Sequence, residues 1–434
     1  MPRCIQPDRY RRTGTVAALL GTLTVAFASL TASPAAAVVI RQAEWPLDAQ
    51  HYQATQIWHL SQGQGVTVAV IDSGVDAAHP DLTGQVLPGT GFLGDRTDNG
   101  QTDISADSHG TAIAGIIAGT GAANNGSGMI GLAPKAKILP VRIATQGAVE
   151  PAALAEGVKY AADHHAQVIN ISLATPTPDP VLRQAIDYAL GKDAVVVAAA
   201  GNSGQSGNPA MYPAAFPGVI DVSGIDAAGQ FWPMSESGPR TTIAAPATNI
   251  YSANNRGQYV NAEGTSYAAA YVSAAAALVR SAFPHQSAGR TIQRLISTAQ
   301  HPKGHDGPDN QYGYGSLDPL AALGTHAVAS GNTNPLLAPR PRPDGTGIGL
   351  GTTTVFAAVT TLVLAAATSA MLILRRSQRR SPRQNNRPAE PARDNRPAQP
   401  GRNRRPAAGH NSQRHAPARA AAGKKPTPAR KRTR

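Results

Sequence analysis

Four polar residues stand in settings that could carry out acyl transfer: Asp72, His109, Asn202 and Ser266. Gly264-Thr265-Ser266 ends a turn, and a run of small and apolar residues follows from Tyr267 to Val279. A serine at that junction sits beside the positive end of a helix, and small neighbours let a substrate backbone come close. The alternative is a serine that only caps a core helix. Asp72 closes the apolar run Val68-Ala69-Val70-Ile71, so its carboxylate lies at the carboxyl edge of a strand. There it either orients a base or caps a loop. His109-Gly110-Thr111 opens a helical stretch containing Gly115 and Gly119, and a first-turn histidine can present its ring to a cleft. One histidine among 12 carries little weight alone. Asn202 follows Ala198-Ala199-Ala200-Gly201. It is either a turn residue or an N–H donor to a developing oxyanion, worth about 3 kcal/mol. Asp, His and Ser in that chain order form one of the known triad orders.

These residues need a frame that brings strand ends and helix starts to one place. From residue 65 onward, short apolar strands alternate with helical stretches. The pattern predicts strands at Val66–Ile71, Ile138–Ile143, Val168–Leu173, Ala194–Ala200 and Val219–Val222. It predicts helices at Ala112–Ala118, Glu150–His164, Val181–Leu190, the stretch after Ser266, and Thr291–Ala299. Strands without polar alternation, separated by helices, imply a doubly wound, mostly parallel α/β sheet covered on both faces. Tyr251 to Val260, centred on Asn254-Asn255-Arg256-Gly257, reads as a hairpin. Ligands of such sheets bind beyond the carboxyl ends of the strands.

The flanks differ in character from this body. Residues 1–37 read as a signal peptide: Arg3, Arg9, Arg11 and Arg12, then an apolar run from Thr15 to Leu30, then Ala35-Ala36-Ala37. Residues 38–64 form an N-terminal arm, and 65–325 the body. Residues 326–347 are a Pro/Gly-rich stalk containing Pro-Arg-Pro-Arg-Pro. Ile348 to Leu374 contains no charged residue and is expected to be a transmembrane helix. Residues 375–434 hold 19 Lys+Arg against 2 Asp+Glu, a basic tail too poor in aliphatic residues to bury a core. The tail sets the orientation: cytoplasmic tail, single pass, body outside the cell membrane. Of the chain's net +13 the tail carries +17 and residues 1–37 carry +3, so residues 38–374 are net −7. The basic balance therefore gives the body no reason to bind nucleic acid, whereas the tail's partners are anionic lipid headgroups first, with nucleic acid, an acidic protein or plain solvent as the alternatives. Cys4 is the only cysteine, so no intrachain disulfide forms.

The segments Val-Ala-Val-Ile-Asp72-Ser-Gly-Val, His109-Gly-Thr-Ala-Ile-Ala-Gly, Ala-Ala-Ala-Gly-Asn202 and Gly-Thr-Ser266-Tyr-Ala-Ala-Ala together resemble the subtilisin-like serine proteases. Residues 38–64, and Gly313-Tyr314-Gly315-Ser316-Leu317-Asp318-Pro319 with Ala321-Ala322-Leu323, resemble the mycosins. Those are membrane-anchored subtilases attached to type VII secretion systems of actinobacteria. The resemblance covers roughly residues 42–376 and implies an endopeptidase acting on protein or peptide substrates beside a membrane-embedded secretion complex. It implies Ser266 as nucleophile, His109 as base, Asp72 as the group orienting His109, and Asn202 with the Ser266 N–H as oxyanion hole. It implies that Ser172-Leu173-Ala174 and Ala199-Ala200-Gly201 pair with the substrate backbone as added strands. It calls for no cofactor and no metal. Ala270 stands where subtilases usually carry proline, Ala274 where they carry glycine, and Ala112 where subtilisins often carry a second histidine. The disulfides usual in mycosins are absent, which removes the expected bracing of the 83–108 loop. Asp95, Asp98, Asp103 and Asp107 make that loop acidic; it matches no calcium-loop spacing and is expected to be solvated.

Overall fold

The computed structural model describes residues 40–92, 98–144, 149–302, 304, 308–324 and 331–338. The chain divides into two units, residues 1–347 and 348–434, and the second lies outside the described residues. So do the expected signal peptide, transmembrane helix and basic tail. Among the described residues no helix is long and apolar enough to cross a membrane.

Within the first unit the elements run in this order: α1 (Ala54–Leu60), β1 (Thr67–Asp72), β2 (Thr90–Gly91), α2 (His109–Ala118) and α3 (Ala123–Gly126), a distorted single turn. Next come β3 (Lys137–Arg142), α4 (Pro151–Asp163), β4 (Val168–Ile171), α5 (Pro180–Gly191), β5 (Val195–Ala199), β6 (Ile220–Ile225) and β7 (Thr241–Pro246). They are followed by β8 (Ile250–Ala253), β9 (Tyr259–Ala262), α6 (Thr265–Ala282), α7 (Ala288–Ser297) and α8 (Pro319–Leu323). Seven strands form one sheet in the order β2-β3-β1-β4-β5-β6-β7, and every strand pair in it is parallel. Strands β8 and β9 form the expected antiparallel hairpin. The doubly wound α/β expectation holds for the body.

Alternation along the strands sends side chains into two cores. Val68, Val70, Val195 and Val197 join the core beneath α2, α6 and α7. Ala69, Ile71, Val196 and Ala198 join the core beneath α4 and α5. Both faces are apolar, so the strands read as continuous hydrophobic runs. Helix α6 crosses the middle of its core, with every residue from Thr265 to Val279 buried. It fits there because so many of its residues are alanine. Ala270 and Ala274 lie inside this continuous helix and are fully buried.

Residues 40–60 lie on the body. Trp45 Nε1 donates to the Thr248 carbonyl (3.1 Å) and Trp58 Nε1 to the Leu132 carbonyl (2.9 Å). At the other end, residues 331–338, inside the expected stalk, also pack on the body. Gly218 N donates to the Leu336 carbonyl (3.1 Å), and Asn334 Nδ2 donates to the Gly218 carbonyl (2.8 Å). Leu336 enters the α6 core at 2% exposure. This attachment lies before β6, at the opposite end of the sheet from Asp72. Leu336→Ala is expected to lower the body's unfolding free energy by about 2–5 kcal/mol, measured by denaturant unfolding. An unchanged midpoint would show that the segment contributes nothing.

Candidate functional site

The site is built at the carboxyl ends of β1, β4 and β5, where their tails meet the first turns of α2 and α6. Asp72 is the last residue of β1 and is 1% exposed. Its Oδ1 accepts the Ser73 amide (2.8 Å), and its two oxygens lie 2.8 and 2.9 Å from His109 Nδ1. A carboxylate there fixes the Nδ1–H tautomer and leaves Nε2 as the acceptor of the neutral ring. Burial presses the charged imidazole down. The Asp72 carboxylate and its hydrogen bond outweigh that, with help from Asp107 and Asp103, so His109 is raised to about 9.

His109 is held by the start of its own helix. The first-turn amides of a helix lack intrahelical acceptors, and here each finds a side chain. Ser105 Oγ accepts His109 N (3.2 Å), Ser73 Oγ accepts Gly110 N (3.0 Å), and Asp103 Oδ2 accepts Thr111 N (3.0 Å). Gly110 must be glycine because a Cβ there would collide with the Gly74 carbonyl oxygen. That close approach joins the β1 tail to the histidine helix.

Asp103 corrects one expectation. It is not solvated: it is 6% exposed and accepts hydrogen bonds from Ser73 Oγ, Ser105 N and Oγ, and Thr111 N and Oγ1. One carboxylate thus ties β1, the loop and α2 together. Asp98 pairs with Arg142, and Asn255 Nδ2 donates to the carbonyls of Asp103 (3.1 Å) and Ser105 (2.9 Å). The loop is braced without a disulfide. Among the described residues no group of three or more metal-ligating side chains gathers.

Ser266 is the second residue of α6 and is 7% exposed. Its Oγ donates to the Ser172 carbonyl (3.2 Å), and Ser172 Oγ donates back to the Ser266 carbonyl (3.3 Å). Among the described residues no hydrogen bond joins Ser266 to His109. The two elements still meet: the rings of His109 and Tyr267 lie 6.0 Å apart. Asn202 also reaches this point. Its Oδ1 accepts both the backbone N–H and the hydroxyl of Thr265 (2.9 Å each), which fixes the orientation of its side-chain amide. Thr265 Oγ1 further accepts Gly201 N (3.0 Å). Thr265 is a positioning residue that sequence reading missed, although it precedes Ser266.

The expected substrate segments lie side by side. Strands β4 and β5 pair in parallel up to Ile171 opposite Ala198, so Ser172-Leu173-Ala174 and Ala199-Ala200-Gly201 leave the sheet as neighbours. Gly201 has a positive φ of 114°, and a Cβ on it would collide with the buried Glu236 carboxylate. A cavity of about 370 Å³ behind Ala200 holds Glu236, Asp221 and Met211 in its wall, and Ser266 is not among its lining residues.

A model of the subtilase family matches residues 63–315. Thermitase from Thermoactinomyces vulgaris is 40% identical over 233 residues, covering 54% of this chain and 81% of thermitase. Two solved structures are also similar. MycP3 protease from the type VII (ESX-3) secretion system is 38% identical, with a TM-score of 0.54, over 63% of this chain and 87% of that one. The serine protease MycP1, described as an essential component of the type VII (ESX-1) secretion system, is 36% identical, with a TM-score of 0.57, over 67% and 90%.

Asp103→Ala leaves several buried donors without an acceptor. It is expected to cost about 3 kcal/mol or more of stability and to slow the reaction of Ser266 with a phosphonylating probe. Denaturant unfolding and labelling rates check both. Native values for both would remove Asp103 from the account.

Proposed function

The chain belongs to the subtilase family of serine endopeptidases, and on that premise we propose that it cleaves peptide bonds with Asp72, His109 and Ser266 as its triad. The observation that carries this reading is the two-oxygen contact of buried Asp72 with His109 Nδ1, beside a serine on the first turn of α6.

The chemistry follows from those positions. Ser266 Oγ attacks the scissile carbonyl carbon as its proton passes to His109 Nε2. Asp72 keeps the ring oriented and stabilises the imidazolium. The carbonyl oxygen becomes an oxyanion between Asn202 Nδ2 and the Ser266 amide. The intermediate collapses as His109 gives its proton to the leaving amine. Water then attacks the acyl-enzyme with His109 again as base, releasing the acid and restoring Ser266. The tails 172–174 and 199–201 hold the substrate backbone between them as an added strand.

The proposed domain plan places this protease outside the cell. Residues 1–37 direct export, and 348–374 anchor the chain in the cell membrane as a single span. Residues 375–434 stay in the cytoplasm, where their positive charge suits anionic headgroups. Substrates are then exported proteins or components of a type VII secretion system. This partner rests on the likeness to MycP1 and MycP3. A second reading, a structural subunit of such a machine with cleavage dispensable, draws on the description of MycP1 as an essential component.

A fluorophosphonate probe on the full-length protein in detergent is expected to label Ser266, and a folded Ser266→Ala variant is expected to take up none. Absence of labelling on the folded native protein, by this probe and by a peptidyl phosphonate alike, would overturn the protease reading. Restoration of secretion by Ser266→Ala in a deletion strain would favour the structural subunit.

A further inference from the structure

The nucleophile does not rest on its base. Ser266 Oγ donates to the Ser172 carbonyl at 3.2 Å, and that carbonyl belongs to the tail proposed to pair with substrate. Ser172 lies one residue beyond the last registered pairs of β4, Ile71 with Ile171 and Ile171 with Ala198. Its carbonyl is therefore outside the sheet ladder.

This arrangement is anchored deep in the protein. Asn170 on β4 is fully buried. Its Nδ2 donates to Ser172 Oγ (2.9 Å), and its Oδ1 accepts Ser273 Oγ from α6 (2.9 Å). Ser172 Oγ in turn donates to the Ser266 carbonyl (3.3 Å). A polar chain thus fixes the β4 tail against the nucleophile helix, and buried polar groups so satisfied specify one arrangement. A hydroxyl at 7% exposure needs an acceptor.

We propose that the Ser172 carbonyl holds the Ser266 hydroxyl away from His109 in the free protease, and that a substrate amide N–H donated to that carbonyl releases it. The proposal rests on the protease reading. Substrate pairing supplies a competing donor to Ser172 O, and the freed hydroxyl turns its proton to His109 Nε2. Proton transfer and attack then proceed as in the triad chemistry. Backbone pairing therefore acts on the chemical step and not only on binding.

The test compares two peptidyl phosphonate inactivators on the full-length protein in detergent at pH 10, where His109 is neutral. They are identical except that one carries an ester oxygen in place of the amide N–H next to the reacting phosphorus. The proposal expects the maximal inactivation rate constant to fall tenfold or more in the ester. A smaller fall, with the loss confined to the half-saturating concentration, overturns it. A crystal structure of the free enzyme at the same pH provides a second measurement. Ser266 Oγ on Ser172 O supports the proposal, and Ser266 Oγ within 3.0 Å of His109 Nε2 contradicts it. An alkyl fluorophosphonate without a peptide separates the two levels. If it labels Ser266 and the inactivator pair shows no rate difference, only the release step fails. If neither it nor the amide inactivator labels Ser266, the protease reading fails as well.

Discussion

The contact between the Asp72 carboxylate and the His109 imidazole is the constraint on which the rest depends. A carboxylate at 1% exposure is costly unless charged or polar partners meet it. Here the meeting groups are the Ser73 amide and His109 Nδ1. The pair forms only if the end of β1 and the start of α2 stay in register. Two features hold them there: the close approach of Gly110 to the Gly74 carbonyl, and Asp103, whose carboxylate accepts from both sides of the joint. The parallel sheet sets the coarse position, and a few buried hydrogen bonds set the fine one.

Helix α6 answers a second constraint, bringing the serine to that pair through the centre of the molecule. Its alanines remove bulk, so the helix lies close to β4, β5 and β6 while its first turn reaches the strand tails. Ser266, the proposed nucleophile, is thus carried by a rigid element, while Asn202, the proposed oxyanion donor, is carried by a turn. Thr265 couples the two, bonding Asn202 Oδ1 and Gly201 N in one step. The same logic appears at Asn170, which locks β4 to α6 from inside the core. The proposed substrate segments are therefore hydrogen-bonded to the first turn of α6, Ser172 to Ser266 and Gly201 to Thr265.

Much of this was legible in the residues. Apolar runs located the central strands because both faces are buried, and the Asn254-Asn255-Arg256-Gly257 turn located the hairpin. Helix α2 begins at His109, three residues before the apolar pattern starts, because side chains from Ser105, Ser73 and Asp103 cap its first amides. Strand β7 was missed: Thr-Thr-Ile-Ala-Ala-Pro is short, polar at its start and ends in proline, yet all six residues are buried. Asp103 was misread as solvated because an aspartate in a charged loop looks alike whether it faces water or five buried donors. Residues 331–338 were read by composition as a stalk, and only Leu336 hints at docking. The four catalytic candidates were identifiable by context, but the resting partner of Ser266 depends on where a carbonyl points, which no motif encodes.

Asp72 governs the charge and tautomer of His109, and proton NMR of the His109 ring tests this directly. A far-downfield proton on Nδ1 is expected, with a ring that titrates near 9, raised from the ordinary 6.5. With the neutral ring as the proposed base, kcat/KM should rise with pH through that value. Stability linked to His109 should be fully present below about 6.5 and lost as pH rises through about 9. A ring titrating at or below 6.5, with no downfield proton, would contradict the account.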